Sequence, residues 1–323
     1  MVCVGDALCE NTNVPVALFV HRRDEQLPRT LACLRACGVE QLYVFSDGPG
    51  DPADADGVAR VRELLDDLDW IEPVVVAHAE NLGLSGSVRA GLDSLFEVHD
   101  QVIVIEDDVC VAPEFYEYAR LALRHYEDVP LVAGITGLRY PFDREALQGY
   151  PYDVFLSPRF SSWGWATWKD RWREFCFDRS LLCQQIGASA AFRPERAGAD
   201  MPEMVNDAVV TGSLTGSWDV VCAANMLLRG QYFITPMWNM VENTGLRDGT
   251  HFTQAPPWRL HWEPDRRPHL DQIRFAPLAA DERVLEKYRQ FFAREGAGRG
   301  ALAQARVAAA RWRTARRLRR AAR

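Results

Sequence analysis

The stretch VIVIEDDVCVAP, residues 102–113, decides the fold, because its apolar, mostly β-branched run ends in the adjacent carboxylates Glu106, Asp107 and Asp108. The apolar run predicts a buried strand, and Pro113 marks the expected start of a helix. Three carboxylates this close repel one another unless a divalent cation or a ring of hydrogen-bond donors lies against them. Two interpretations stay open here, a cation site and an exposed acidic turn that favours the following helix N-terminus.

Short apolar strands alternate with helical spacing through the first half of the chain. Strands are predicted at 16–20, 42–45, 71–78 and 101–105, and helices at 27–37, 58–68 and 88–96 and from Pro113 onward. This alternation predicts an α/β fold, a mostly parallel sheet with helices on both faces. Ligands of such sheets bind at the carboxyl ends of the strands, which places the acidic residues at a ligand-binding edge.

Composition indicates a soluble globular protein. The chain has 323 residues, of which 48% are hydrophobic and 25% charged, enough for one large domain or two small ones. No apolar run approaches the roughly 20 residues of a membrane span, and the first residues lack the pattern of a secretion signal, so we predict a cytoplasmic protein. The eight cysteines show no zinc-type spacing, which favours buried reduced thiols.

Charge is unevenly distributed along the chain. Residues 294–323 contain ten arginines and one glutamate, a net charge of +9, so the rest of the chain has −17. A basic terminus of this kind can bind an anionic membrane surface, here the inner face of the cell membrane, although a solvated, loosely helical tail is the alternative. The acidic body argues against nucleic acid as a partner because it would repel phosphates.

Six segments, in order between residues 14 and 255, resemble the nucleotide-sugar-dependent glycosyltransferases of the GT-A fold. The likeness is closest to bacterial family 2-like transferases and to the eukaryotic N-acetylglucosaminyltransferase that initiates complex N-glycans. The segments are PVALFVHRRDEQLPRTL (15–31), YVFSDGPGD (43–51), ENLGLSGSVRAGLDSLF (80–96), VIVIEDDVCVAPEFYEYA (102–119), SSWGWATWKDRW (161–172) and GSWDVVCAANMLLRG (216–230). The resemblance implies a GT-A-like, Rossmann-like single main domain.

The same resemblance implies a divalent cation on the donor diphosphate, held by an acidic motif of the DxD type. Asp108 is the expected metal ligand, and Glu106 and Asp107 are expected nearer the donor ribose or sugar hydroxyls. Oxygen ligands suit Mn²⁺ or Mg²⁺. If the strand geometry persists, alternation points Glu106 and Asp108 to one side and Asp107 to the other.

Three further side chains match donor-binding positions. Arg23 and Asp47 are expected to meet nucleotide phosphate or base, and Arg89 to pair with a donor oxygen. The alternatives are surface salt bridges for the two arginines and ordinary Asp-Gly turn chemistry for Asp47. Position 22 departs from the bacterial relatives, since Arg22 stands where a polar neutral residue is more usual, and this puts the local phosphate geometry in question.

Asp219 is the candidate catalytic base of an inverting reaction, placed at the start of a predicted helix with Val221, Ala224 and Leu228 on one face. Its alternative role is an N-terminal cap. The tryptophans of 161–172 are expected mainly to pack in the core, with Gly164 and Trp165 approaching the donor through backbone. ENTGLRDGTHFT, residues 242–253, predicts a mobile loop that closes over the donor, in which His251 reaches metal or diphosphate or else is simply exposed.

We therefore predict a metal-dependent, inverting glycosyltransferase that moves a sugar from a nucleoside diphosphate sugar to a saccharide, lipid-linked or protein acceptor. One alternative is a sugar-nucleotide nucleotidyltransferase, although HRRDEQLP (21–28) lacks the glycine-rich phosphate loop of that class. The other is a non-catalytic sugar-nucleotide-binding protein. The predicted organisation is a flexible 1–13, a 14–275 domain whose nucleotide half is 14–140 and acceptor half 141–275, and a C-terminal helix with a basic tail, 276–323.

Overall fold

A central sheet of eight strands organises the protein, whose structure is a computed structural model that describes residues 13–141, 147–212, 217–245 and 270–297. The strand order is β3-β2-β1-β4-β8-β6-β9-β7, and β5 and β10 form a separate pair. The strands are β1 (Val16–Val20), β2 (Leu42–Ser46), β3 (Val74–Ala77), β4 (Gln101–Glu106), β5 (Val109–Val111), β6 (Val132–Thr136), β7 (Val154–Ser157), β8 (Trp165–Trp168), β9 (Tyr232–Pro236) and β10 (Val241–Asn243).

Helices connect and cover these strands. They are α1 (Leu27–Ala36), α2 (Ala55–Asp66), α3 (Gly83–Leu95), α4 (Phe115–Tyr126), α5 (Lys169–Arg173), α6 (Arg179–Ala188), α7 (Met201–Val205), α8 (Trp218–Leu228) and α9 (Glu282–Ala297). A π-helical segment, Asn206–Thr211, follows α7 directly.

The α/β class and the mostly parallel sheet are confirmed. Strands β3, β2, β1 and β4 are parallel neighbours, and so are β6 and β9; β8 is antiparallel to both β4 and β6, and β7 is antiparallel to β9. Val16, Leu18 and Val20 pack in one core with α1, α2, α4 and α9, whereas Ala17 and Phe19 pack in a second core with α3 and α5 to α8. Successive side chains of a strand point to opposite faces, so β1 fills both cores.

The predicted strands and helices of the first half lie within a few residues of the observed ones, with two differences around the acidic residues. Residues 109–111 form β5, which the sequence did not predict, and α4 begins at Phe115 rather than at Pro113. Strand β5 pairs with β10, a partner some 130 residues later in the chain. This long-range pairing explains why local sequence did not reveal β5.

Helix α8 is more buried than its predicted apolar face implies. Ala224 is buried as expected, but Val221 and Leu228 are half-buried, and the fully covered faces include Cys222 and Met226. Within the described ranges no helix is both long and apolar enough to span a bilayer. The cysteines in those ranges are free thiols, three of them buried, and these are Cys33, Cys37, Cys110, Cys176, Cys183 and Cys222.

Candidate functional site

The acidic residues form a turn at the carboxyl edge of the parallel strands, where β4 ends at Glu106 and β5 begins at Val109. Asp107 and Asp108 are each only 5% exposed, while Glu106 keeps part of its surface accessible. Because the strand ends at Glu106, the expected alternation of the side chains does not continue. Asp107 and Asp108 instead share one partner, and we call Glu106–Asp108 the acidic turn.

That shared partner is Arg23, three residues after β1. Its Nη1 donates to Asp107 Oδ1 at 3.0 Å and also to Asp108 Oδ2. The backbone N–H of His21 donates to the second oxygen of Asp107 at 3.1 Å. Within the described part of the chain, the buried Oδ1 of Asp108 has no hydrogen-bond partner. One carboxylate oxygen of the acidic turn is therefore left for a ligand.

Charge at the acidic turn is only partly balanced. Burial raises the pKa of Glu106 well above its usual range, and the charges of Asp108, Asp107 and Asp219 add to the rise. Burial also raises the pKa of Asp108 to about 6 and that of Asp107, although Arg23 opposes both shifts. Burial alone would lower the pKa of Arg23, but Asp108 and Asp107 outweigh it and keep the guanidinium charged. A single guanidinium does not compensate three carboxylates.

Asp47 follows β2 and is 4% exposed. Its Oδ1 accepts hydrogen bonds from the backbone N–H of Gly48 at 2.9 Å and of Leu82 at 2.8 Å. A Cβ on residue 48 would lie 2.5 Å from the carbonyl carbon of Glu80, so only glycine fits there. Asp47 therefore fixes the turn after β2 against the segment before α3, and its contact with a nucleotide stays a prediction.

Two polar side chains beside this turn were not among the predicted site residues. His21 Nε2 lies 3.1 Å from the carbonyl oxygen of Gly48, and Asn81 Nδ2 donates to the same oxygen at 2.8 Å. Both stand within three residues of the end of a predicted strand, as Arg23 and Asp47 do, and this position was the available signal. Arg22, the departure noted in the sequence, pairs with Asp54.

Asp219 is the second residue of α8, and Ser217 occupies the N-cap position of this helix. The capping alternative is therefore wrong. The carboxylate is half-buried, and its charge contributes to the raised pKa of Glu106 in the acidic turn. The positive end of the helix dipole favours the ionised form of a carboxylate at this position.

Arg89 lies on the exposed side of α3, with its guanidinium carbon 4.6 Å from the centre of the Phe177 ring. Its charge and that of Asp219 act in opposite directions on the pKa of Cys222, which burial chiefly raises. Arg89 and Asp219 thus lie within electrostatic range of the same α8 side chain. Binding of a donor oxygen by Arg89 stays a prediction.

Gly164 and Trp165 lie deeper than the other candidate residues. Gly164 has a φ of +60°, and its carbonyl accepts from the N–H of Gly137 at 2.8 Å. Trp165 is 1% exposed in β8, between Val104 and Thr136 of the neighbouring strands. The expectation that tryptophans of 161–172 pack in the core is confirmed for Trp165, Trp168 and Trp172. Backbone contact with a donor remains a prediction.

The segment after β10 packs directly on Asp108. The N–H of Thr244 donates to the Asp108 carbonyl at 2.8 Å, and a Cβ on residue 245 would stand 2.1 Å from Asp108 Oδ2. The predicted loop, 242–253, is wrong at its start, because residues 242 and 243 belong to β10; His251 and the rest of 246–253 lie outside the described residues. Among the side chains that the structure does describe, no three His, Cys, Asp or Glu residues are grouped to hold a metal ion.

Comparison with known proteins gives little guidance. No family model matches the chain, and no curated protein matches it. Among solved structures, one from Bacillus anthracis, solved under the name of a glucose-1-phosphate thymidylyltransferase in complex with a sucrose, is similar with a TM-score of 0.36 and 10% sequence identity. The match covers 72% of this chain and 90% of that one. A TM-score of this size does not establish a shared fold or activity.

Proposed function

We propose that the protein is a metal-dependent, inverting glycosyltransferase that uses a nucleoside diphosphate sugar as donor. The observation that supports this best is that two unlike carboxylates, Asp108 and Asp219, both act on Glu106, whose pKa their charges raise. Asp108 is buried and has an oxygen without a partner among the described residues, whereas Asp219 is half-buried in the first turn of α8. A cation ligand and a catalytic base need these two different environments.

The acidic turn fits a divalent cation. Asp108 would hold Mn²⁺ or Mg²⁺ through its partnerless Oδ1, and His251 remains the predicted second ligand. Metal ions of this type typically use one or two carboxylates together with substrate phosphates, which agrees with the absence of a three-residue cluster among the described side chains. When bound there, the cation would neutralise the charge that develops on the nucleoside diphosphate leaving group.

Asp219 would perform the proton transfer. Its carboxylate takes the proton from the acceptor hydroxyl as that oxygen attacks the anomeric carbon, and the bond from this carbon to the diphosphate oxygen breaks in the same displacement. Configuration inverts because the new bond forms opposite the leaving group. A positioned base typically contributes about 10²- to 10⁴-fold to the rate.

The remaining candidates would bind the donor. Arg23 and Arg89 would meet its phosphates, Glu106 and Asp107 its ribose or sugar hydroxyls, and the turn at Asp47 its nucleoside. Gly164 and Trp165 would contribute backbone. The acceptor is a saccharide, a lipid-linked saccharide or a protein, and a polysaccharide or lipid-linked acceptor would suit attachment of 294–323 to an anionic membrane surface.

The test is a thermal-shift and hydrolysis screen against a panel of nucleoside diphosphate sugars with Mn²⁺, Mg²⁺ or EDTA. We expect one donor to raise the melting temperature only with metal and to be hydrolysed slowly. Asp219→Asn should keep the donor-induced shift and lose hydrolysis by at least about 10²-fold. Asp108→Asn should lose the rise in melting temperature that donor and metal cause together.

Asp100→Asn is the matched control, because Asp100 precedes β4 as Asp108 follows it, and its side chain is 88% exposed. It should behave as the wild type in both assays. Donor binding without turnover, unchanged by Asp219→Asn even with acceptors present, would contradict the proposal and favour a binding protein. Turnover that consumes or releases pyrophosphate would instead identify a nucleotidyltransferase.

A further inference from the structure

Arg23 contacts the same carboxylate, Asp108, that would hold a cation at the acidic turn. Its guanidinium bridges the carboxylates of Asp107 and Asp108, with 3.0 Å from Nη1 to Asp107 Oδ1. Gly245 also lies against Asp108 Oδ2, so this oxygen is contacted by both Arg23 and Gly245. A cation that approaches through the partnerless Oδ1 of Asp108 therefore meets a second positive charge on the same carboxylate.

The guanidinium cannot yield by losing its proton. Arginine is effectively always protonated in proteins, so Arg23 stays charged at any working pH. It can only move, and 27% of its side chain is exposed, against 7% for each of the two aspartates. Of the three side chains, Arg23 is thus the one that can move away from Asp107 and Asp108.

We propose that Arg23 is an internal counter-ion that competes with the divalent cation for Asp108 and transfers to the donor diphosphate when metal and donor bind together. This inference rests on the proposed function. A diphosphate gives the guanidinium new acidic oxygens, and arginine pairs with phosphate as readily as with carboxylate. The transfer makes metal and donor binding mutually dependent, because each removes an obstacle to the other.

The competition predicts an unusual effect of removing a positive charge in this particular place. In most molecules Arg23 is paired with Asp108, so only a small fraction of the protein can bind the cation. The apparent affinity for metal is reduced by that fraction. Arg23→Gln should therefore bind Mn²⁺ about tenfold or more tightly in the absence of nucleotide. The increase in Mn²⁺ affinity that a nucleoside diphosphate causes should be smaller in this variant than in the wild type.

Arg22→Gln is the control, since Arg22 is the adjacent arginine but pairs with Asp54 and has 57% of its side chain exposed. Losing that charge should change Mn²⁺ affinity by no more than about twofold, as expected for a solvent-screened site. The experiment measures Mn²⁺ binding by calorimetry and by the electron paramagnetic resonance of free Mn²⁺, with UDP, GDP and dTDP added in turn.

If Arg23→Gln fails to fold, the wild-type protein still provides a second measurement. The Arg23 side-chain signal in ¹⁵N,¹³C-arginine spectra, assigned by its loss in Arg23→Lys, should shift when Mg²⁺ and nucleoside diphosphate are added together. The same additions to Asp108→Asn should give no metal-dependent shift of that signal.

The outcomes separate this inference from the proposed function. If the wild type binds Mn²⁺ through Asp108 and Arg23→Gln binds it no more tightly, the counter-ion role is wrong while the metal-dependent reaction stands. An unchanged nucleotide effect in Arg23→Gln, or an Arg23 signal that stays fixed, would overturn the transfer to diphosphate. If neither the wild type nor Arg23→Gln binds Mn²⁺ at all, both proposals fail.

Discussion

Gly245 lies against the carboxylate of Asp108 so closely that a Cβ at position 245 would stand 2.1 Å from Oδ2. This contact joins the residue that would bind metal to the segment that leads away from β10. Asp108 accepts two further contacts from this segment, since the N–H and the hydroxyl of Thr244 both donate to its carbonyl at 2.8 Å and 3.1 Å. Residues 244 and 245, directly after β10, therefore contact both the backbone carbonyl and the carboxylate of Asp108.

Gly245→Ala should displace the Asp108 side chain and weaken Mn²⁺ binding by about tenfold or more, at a cost of about 1–3 kcal/mol in stability, because a methyl group is forced into a packed site. Calorimetry and urea unfolding measure the two effects. Gly86→Ala is the control: its Cβ would meet only Leu82 of the same turn, at 3.2 Å. It should leave the Mn²⁺ affinity at the wild-type value. Unchanged Mn²⁺ affinity in Gly245→Ala would contradict the contact.

Gly48→Ala should reduce nucleotide affinity, because its Cβ would lie 2.5 Å from backbone atoms of Glu80, which cannot rotate away. Gly50→Ala is its matched partner. There the nearest atom is a side-chain oxygen of Asp54 at 3.1 Å, which can move by a few tenths of an ångström. We expect at least about tenfold weaker donor binding for Gly48→Ala and near wild-type binding for Gly50→Ala in the thermal-shift assay. Equal effects would show that the close approach to Glu80 is unimportant.

Glu106→Gln should stabilise the metal-free protein increasingly as pH rises. The folded protein holds the Glu106 proton at pH values where the unfolded chain, with its ordinary pKa near 4.5, has lost it. The contribution of Glu106 to stability therefore falls as pH rises above about 4.5, whereas glutamine does not titrate. Melting temperatures in EDTA at pH 4, 6 and 8 should show a widening gap in favour of the variant. Glu97→Gln, at a 73% exposed side chain that pairs with Arg173, is the exposed control and should change stability by less than about 1 kcal/mol at each pH.

Asp200→Asn should cost about 3 kcal/mol in the free energy of unfolding, since it leaves the buried Arg159 guanidinium without its charge partner. Arg159 is 8% exposed, pairs with both Asp200 oxygens at 2.9 Å, and stacks 3.7 Å from the ring centre of Phe292. Asp69→Asn, whose partner Arg35 is solvent-exposed, should cost less than about 1 kcal/mol. Urea unfolding at pH 7 compares the two. Similar losses would contradict the difference in burial.

Most of the first half of the fold could be predicted, because its helices and most of its strands show a clear helical or strand pattern of apolar residues in the sequence. Val16–Val20 is a uniform apolar run and β4 contains another at 102–105, and the parallel order follows from their alternation with helices. Strands β8 and β5 could not be placed in the same way. Strand β8 lies between β4 and β6, and β5 needs β10, so both depend on partners far away in the chain.

The site was predicted as a list of residues, and the structure adds the contacts among them. Position after a strand, together with the resemblance to GT-A glycosyltransferases, selected Arg23, Asp47 and Asp108. Local sequence could not show that Arg23 bridges two aspartates about 85 residues away. Nor could it show that an Asp47 carboxylate oxygen accepts a hydrogen bond from the N–H of Leu82. Those facts come from the convergence of strand ends, which sequence spacing does not contain.

Helix α9 has a practical consequence for anyone who shortens this protein. Its residues Val284, Leu285, Tyr288 and Phe292 are buried in the body of the protein, whereas the arginine excess begins only at residue 294. A truncation before Glu282 would uncover an apolar surface and invite aggregation, but one after residue 297 removes most of the positive charge and spares that surface. A protein that ends at residue 297 is therefore the better choice for crystallisation. Vesicle binding by this shortened protein and by the 323-residue protein would measure the contribution of residues 298–323.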